Sequence, residues 1–112
     1  MKNDTDVLAD ILVAARLIQE FIRDVDEPSF LLDPKTQYAI YAQLIIMGEA
    51  ARRVSETFRQ QHADLPWHEM MGMRNRIVHA YDEINWQIVW HTAQRDIPDL
   101  IGKVMPLLPP TE

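Results

Sequence analysis

From about Asp6 to Val25, apolar side chains recur three and four residues apart, at Val7, Leu8, Ile11, Leu12, Ala15, Ile18, Phe21, Ile22 and Val25. That spacing predicts an amphipathic helix with one face toward a core. Asp26-Glu27-Pro28-Ser29 interrupts it, and Phe30-Leu31-Leu32 leads into Asp33-Pro34, an N-cap followed by proline at the first helical position. A second helix is predicted from there to about Gln61. Its residues Ile40, Leu44, Met47, Ala51, Val54 and Phe58 alternate steps of four and three along a single seam that requires a partner helix. Gly48 lies beside this seam, where the missing side chain lets another backbone approach; helix packing, rather than ligand contact, is the expected reason for it.

Leu65-Pro66 opens a third predicted helix carrying Trp67, Met70, Met71, Met73, Ile77 and Val78, ended by Asp82-Glu83 and the N-cap Asn85. The fourth carries Trp86, Val89, Trp90, Ala93, Ile97, Leu100, Ile101 and Val104, and Pro98 should kink or split it. From Pro106 to Glu112 the chain is expected to trail off. No segment alternates with a period of two, and no Asn-Gly or Asp-Gly hairpin turn occurs, so the fold class is all-α. Short connections favour an up-down bundle of four helices, the last kinked or split near Pro98.

A chain of 112 residues supports one core, and residues 1–112 are read as a single domain. Its composition, 47% apolar and 25% charged, is that of a globular protein, and no stretch approaches the length of a membrane helix. The first ten residues hold three aspartates and no apolar leader, so a cytoplasmic location without a membrane partner is expected. The absence of cysteine excludes disulfides, thiolate metal sites and thiol nucleophiles, leaving oxygen, imidazole and guanidinium groups for any catalysis. A net charge of -6 argues against broad attraction to nucleic acid, DNA included, so an RNA substrate would need a local basic patch. Arg52, Arg53, Arg59, Arg74 and Arg76 are the candidates, although such arginines commonly serve as solvated surface. His62, His68, His79 and His91 lack paired metal-ligand spacing, so neither metal nor cofactor is expected. Clustered Met70, Met71 and Met73 suit a core or dimer seam better than a binding groove.

The densest chemistry lies in Arg74-Asn75-Arg76-Ile77-Val78-His79-Ala80-Tyr81. On a regular helix Met73, Ile77 and Tyr81 face the buried side and Arg74 falls at its margin, where a guanidinium must be paired or await an anion. Arginine grips phosphate, imidazole moves a proton near neutral pH, and a tyrosine hydroxyl donates, accepts or attacks. These are the parts of a metal-free phosphodiester cleavage in which His79 handles the proton, Arg74 stabilises developing charge and Asn75 orients the ring. Glu49 is a candidate to hold a guanidinium in place. Roughly 140° separates Arg74 from His79 on a straight helix, so one helix does not aim both at one point. Either the arginine stem wraps round, or the helix tightens near its end, or two copies of the helix meet. The same residue types also arise by chance, with His79 as solvated surface and Tyr81 as a core edge.

Pro66-Trp67, the run Met71-Gly72-Met73 through Tyr81, Trp90, Pro98 with Leu100, and Gly48-Glu49-Ala50 together resemble the HepT-like toxins of the HEPN superfamily over nearly the whole chain. That family's signature is an arginine, a polar residue, three more residues, histidine, any residue and tyrosine, matched here by Arg74, Asn75, His79 and Tyr81. The resemblance implies the toxin of a type VII toxin-antitoxin pair: a homodimeric, metal-independent endoribonuclease whose two motifs meet across the interface. It implies a nucleotidyltransferase antitoxin as partner, which transfers AMP to Tyr81 and so blocks the cleft by bulk and charge. The alternative is a non-catalytic HEPN module that binds RNA or the nucleotidyltransferase.

Overall fold

Asn3 opens the first helix by accepting a hydrogen bond from the Asp6 N–H at 2.9 Å, satisfying a backbone donor that has no partner within the helix. The computed structural model describes residues 2–79 and 83–110. Helix α1 (Asp4–Ile22) buries Val7, Leu8, Ile11, Leu12, Ala15 and Ile18, the predicted face. It ends three residues earlier than expected. Asp24 adopts φ 60°, the left-handed conformation that closes many helices and that aspartate tolerates better than most residues.

Residues Glu27–Phe30 form a single helical turn, α2, capped by Asp26 through the Ser29 N–H. This turn sinks Phe30 into the core against Trp90, with ring centroids 5.2 Å apart. Helix α3 (Pro34–Arg53) starts at the predicted cap, where the Asp33 carboxylate accepts from both the N–H and the hydroxyl of Thr36. Its seam of Ile40, Leu44, Met47 and Ala51 is buried as expected.

The expected single helix to Gln61 is in fact two. Val54 is extended (ψ 136°), and Ser55 caps a separate helix, α4 (Glu56–Gln61), by accepting from the Phe58 N–H. The break is held by a long-range clasp in which Asp4 accepts from the Ser55 N–H at 2.8 Å and from its hydroxyl at 2.7 Å. These bonds hold the Asp4 carboxyl below the usual carboxylate range. Val54 still points inward and prolongs the apolar seam across the break, which conceals it from periodicity.

The third expected helix is likewise divided, into α5 (Trp67–Met71) and α6 (Met73–Ile77) about Gly72. After Asn85, capping as predicted, come α7 (Trp86–His91), a wide π turn over Thr92–Asp96 and α8 (Ile97–Val104). Pro98 explains the wide turn: it has no N–H to donate, and its ring would press on the carbonyl four residues back, at Gln94. Beyond α8 the chain does not trail off at once. Met105–Leu107 form a 3₁₀ turn, and Leu107 and Leu108 pack on the core.

Helix α1 lies along α3 and α8, and α3 in turn carries α5 and α6. The close approach expected at Gly48 is present, because a Cβ there would stand 2.6 Å from the Met70 carbonyl oxygen. Met70 and Met73 are core residues. Among the described residues the protein is all-helical apart from one isolated bridge, and no helix is long and apolar enough to cross a membrane.

Candidate active site

The motif does not ride on one straight helix. Met73 and Ile77 anchor α6 in the core, one turn apart, and leave Arg74, Asn75 and Arg76 exposed. Arg74 is therefore exposed rather than held at a buried margin. At Val78 the backbone turns extended (φ -103°, ψ 122°), and Val78 pairs with Ile84 as an antiparallel bridge. The His79 N–H donates to the Glu83 carbonyl at 2.7 Å, and the Asn85 N–H donates to the Ile77 carbonyl at 2.8 Å. His79 thus stands on an extended arm just beyond the helix, exposed. The 140° separation expected for a regular helix does not apply, because the helix ends two residues before the histidine.

Arg74 and Asn75 share a pocket of about 80 Å³ with Glu49, Arg52 and Gly48. The Gly48 contact builds this pocket: it seats the Met70 carbonyl directly on α3, which brings the residues after Gly72 beside Glu49. Arg52 reinforces the seat by donating to the Met71 carbonyl at 2.8 Å. Glu49 lines the pocket, but among the described residues it forms no ion pair; the three pairs found there are Lys2–Asp10, Arg76–Asp96 and Lys103–Asp99. His79 lines a different pocket, of about 410 Å³, with Leu31, Glu83, Ile84, Asn85, Trp86 and Gln87. Within one chain, then, Arg74 and Asn75 come together with Glu49, and His79 opens onto a neighbouring space. Tyr81 lies outside the described residues.

The expected basic patch is dispersed. Arg76 turns away from Arg74 to Asp96 at 3.7 Å, on the rim of a third pocket of about 390 Å³ floored by Met47, Met70, Met73 and Ile97. Arg59 is tucked against the Met71 sulfur, and Arg53 lines a groove with Asp10 and Gln43. Arg52 and Arg74 line one pocket, and Arg52 and Arg59 both reach Met71.

The sequence reading missed an aromatic cluster beside His79. Trp86, on the rim of the His79 pocket, meets Tyr38 at 5.0 Å and Tyr41 at 6.3 Å, both nearly edge-on, and rests on buried Phe30. Its signal is the Tyr38-Tyr41 pair, three apart on α3 and off the Ile40–Leu44–Met47 seam.

The fold and site define a class: a small all-helical protein in which an Arg-x4-His-x-Tyr motif spans the end of a short helix. Residues 11–107 match the family described as "Ribonuclease HepT-like". The chain belongs to this HepT-like family. It is 40% identical over 102 residues to a Thermococcus cleftensis protein named "Probable ribonuclease HepT", covering 91% of this chain and 93% of that one. A Caldanaerobacter subterraneus relative named "Putative RNase TTE0752" is 32% identical over 108 residues, covering 96% of each chain. A "Putative RNase MJ1380" from Methanocaldococcus jannaschii is 36% identical over 97 residues, covering 87% of this chain and 89% of its own. No solved structure matches the chain.

Proposed function

We propose that this protein is an endoribonuclease toxin that cleaves RNA without a metal ion, using Arg74, Asn75 and His79 from two copies of the chain. The observation that carries the reading is the break at Ile77: an arginine, an amide and an imidazole stand exposed within six residues, in a family whose relatives are named as ribonucleases. In the proposed step the ribose 2′-oxygen attacks phosphorus, the bond to the 5′-oxygen breaks, and a 2′,3′-cyclic phosphate and a 5′-hydroxyl result. Neutral His79 takes the 2′-hydroxyl proton, and a protonated imidazole returns one to the leaving oxygen. Arg74 holds the phosphorus oxygens as negative charge grows on them, with Asn75 as a neutral donor.

A homodimer fits the separation of the Arg74 and His79 pockets, since a second motif facing the first supplies whichever group one copy aims elsewhere. We read the four legs of the chain, α1, α3 with α4, α5 with α6, and α7 with α8, as an up-down bundle that leaves this end free to pair. Glu49 acts as a positioning group for Arg74 or Arg52. A cognate nucleotidyltransferase is the proposed antitoxin. It passes AMP from ATP to Tyr81: the phenol oxygen attacks the α-phosphorus and pyrophosphate leaves, placing an anion where phosphate should bind.

The test is cleavage of cellular RNA by purified protein in excess EDTA, with termini identified chemically. Parent protein should yield cyclic phosphate ends, and specific activity should fall on dilution as the dimer dissociates. His79→Ala and Arg74→Ala should each lower the rate by at least about a hundredfold, the scale of a lost acid-base or oxyanion group. Cleavage by His79→Ala at the parental rate refutes the mechanism; RNA binding without turnover identifies a binding module instead.

A further inference from the structure

We propose that Tyr38 and Trp86 form a stacking platform for an unpaired base of single-stranded RNA, next to the bond that His79 acts on. The inference rests on the ribonuclease reading and extends it to how substrate is held. Tyr38 is 56% exposed, and it stands edge-on to Trp86 at 5.0 Å. Trp86 and Tyr41 both meet Tyr38 edge-on, so neither ring lies stacked parallel on it, and an exposed aromatic ring is a stacking partner for any base. The platform is braced from below, because Trp86 meets Phe30 edge-on at 6.3 Å and Phe30 is fully buried against Trp90. Little ordering is left for the base to impose on binding.

Placement links this platform to the chemistry. Trp86 and His79 line the same pocket, and its volume of about 410 Å³ accommodates a nucleobase. The paired arms fix their spacing, since Val78 bridges Ile84, the His79 N–H reaches Glu83, and Asn85, which caps the helix starting at Trp86, donates back to Ile77. The other polar groups among the pocket's described residues, Glu83, Asn85 and Gln87, carry no positive charge, which suits the edge of a base and not a phosphate. A carboxylate and an amide are natural partners for exocyclic amino groups.

The experiment measures binding of a short fluorescein-labelled single-stranded RNA in the His79→Ala background, so that turnover does not interfere. The same RNA with abasic positions serves as the comparison. Adding Tyr38→Ala should weaken binding of the intact RNA about tenfold, the scale of one lost stacked base, while Tyr38→Phe stays within about twofold. Abasic RNA should bind weakly and should not distinguish these variants. In the cleaving protein, Tyr38→Ala should raise KM with kcat nearly unchanged. Equal binding by Tyr38→Ala overturns the platform, as does equal binding of abasic RNA. So does a shift from dimer to monomer in light scattering with RNA affinity unaltered, which makes the face a protein interface. Base-dependent binding through Tyr38 by a protein that never cuts RNA would uphold the platform and defeat the catalytic reading; cleavage with a KM indifferent to Tyr38 would do the reverse.

Discussion

Replacing Gly48 with alanine sets a Cβ 2.6 Å from the Met70 carbonyl oxygen, a backbone atom of α5 that cannot swing aside. Restoring an ordinary contact of about 3.4 Å requires roughly 0.8 Å of separation between α3 and α5, well beyond what a close-packed interior absorbs freely. Overpacking of this kind costs about 1 to 3 kcal/mol, and alanine's better helix propensity returns up to about 1 kcal/mol. The net expectation is a loss of about 1 to 2 kcal/mol, or a fall in Tm of about 4 to 8 °C for a chain of this size. Activity should suffer more than stability, because the displaced segment carries Arg74 and Asn75, and a misplacement near 1 Å can cost about a hundredfold in rate. Gly102→Ala is the internal control: Gly102 lies in α8 with nothing within 4 Å of its would-be Cβ, so it should gain up to about 1 kcal/mol and leave cleavage alone. Thermal denaturation and RNA cleavage of both variants decide the matter. A Gly48→Ala protein as stable and as active as Gly102→Ala would refute the argument that this contact seats the site.

Other outcomes follow from single contacts. Thr92 is 1% exposed and its hydroxyl has no hydrogen-bond partner among the described residues, so Thr92→Val should stabilise by about 1 kcal/mol in urea denaturation; a loss would mean the hydroxyl is satisfied after all. Ser55→Ala removes both the α4 cap and a donor to Asp4, and should cost about 1 to 2 kcal/mol by the same measurement. Asp4, Asp26 and Asp33 are held below the usual carboxylate range, chiefly by the hydroxyls and N–H groups of Ser55, Ser29 and Thr36. Because their folded values lie below the unfolded ones, their stabilisation is complete above the unfolded value and is lost as pH falls through the folded value. Stability should therefore decline on acidification below the ordinary carboxylate range, and Asp4→Ala should make that decline shallower in a pH series of denaturation curves. Co-expression with the cognate nucleotidyltransferase should add mass to Tyr81 in steps of about 329 Da, a charge-changing modification that Tyr81→Phe abolishes; an unchanged mass removes the proposed switch.

Local rules carried the sequence far. Asp33-Pro34 and Asn85 are visible as caps because their chemistry is spelled in adjacent residues, and Pro98 announces a disturbance that the π turn realises. Gly48 was legible as a close approach, though not its partner Met70. The break at Val54–Ser55 escaped detection because Val54 keeps the apolar register, and the deciding bonds come from Asp4, distant in sequence. Phe30 lies on a helical turn too short to show a period. The helix end at Ile77 lacks glycine or proline; it is set by pairing with Ile84 and Asn85, so the motif could be recognised while its geometry could not. Arg74, Asn75 and Glu49 gather as a group, and His79 stands apart from them.

That last division has a consequence for how the site can change. Arg74 and Asn75 depend on a contact with α3, through Gly48 and Met70, whereas His79 depends on a nearby backbone pairing with Glu83 and Ile84. The Arg74–Asn75 half and the His79 half of the proposed site are therefore separate mechanical units joined at Ile77. Variants of the two supports should combine additively in folding free energy, and a lineage can retune one half without first having to rebuild the other.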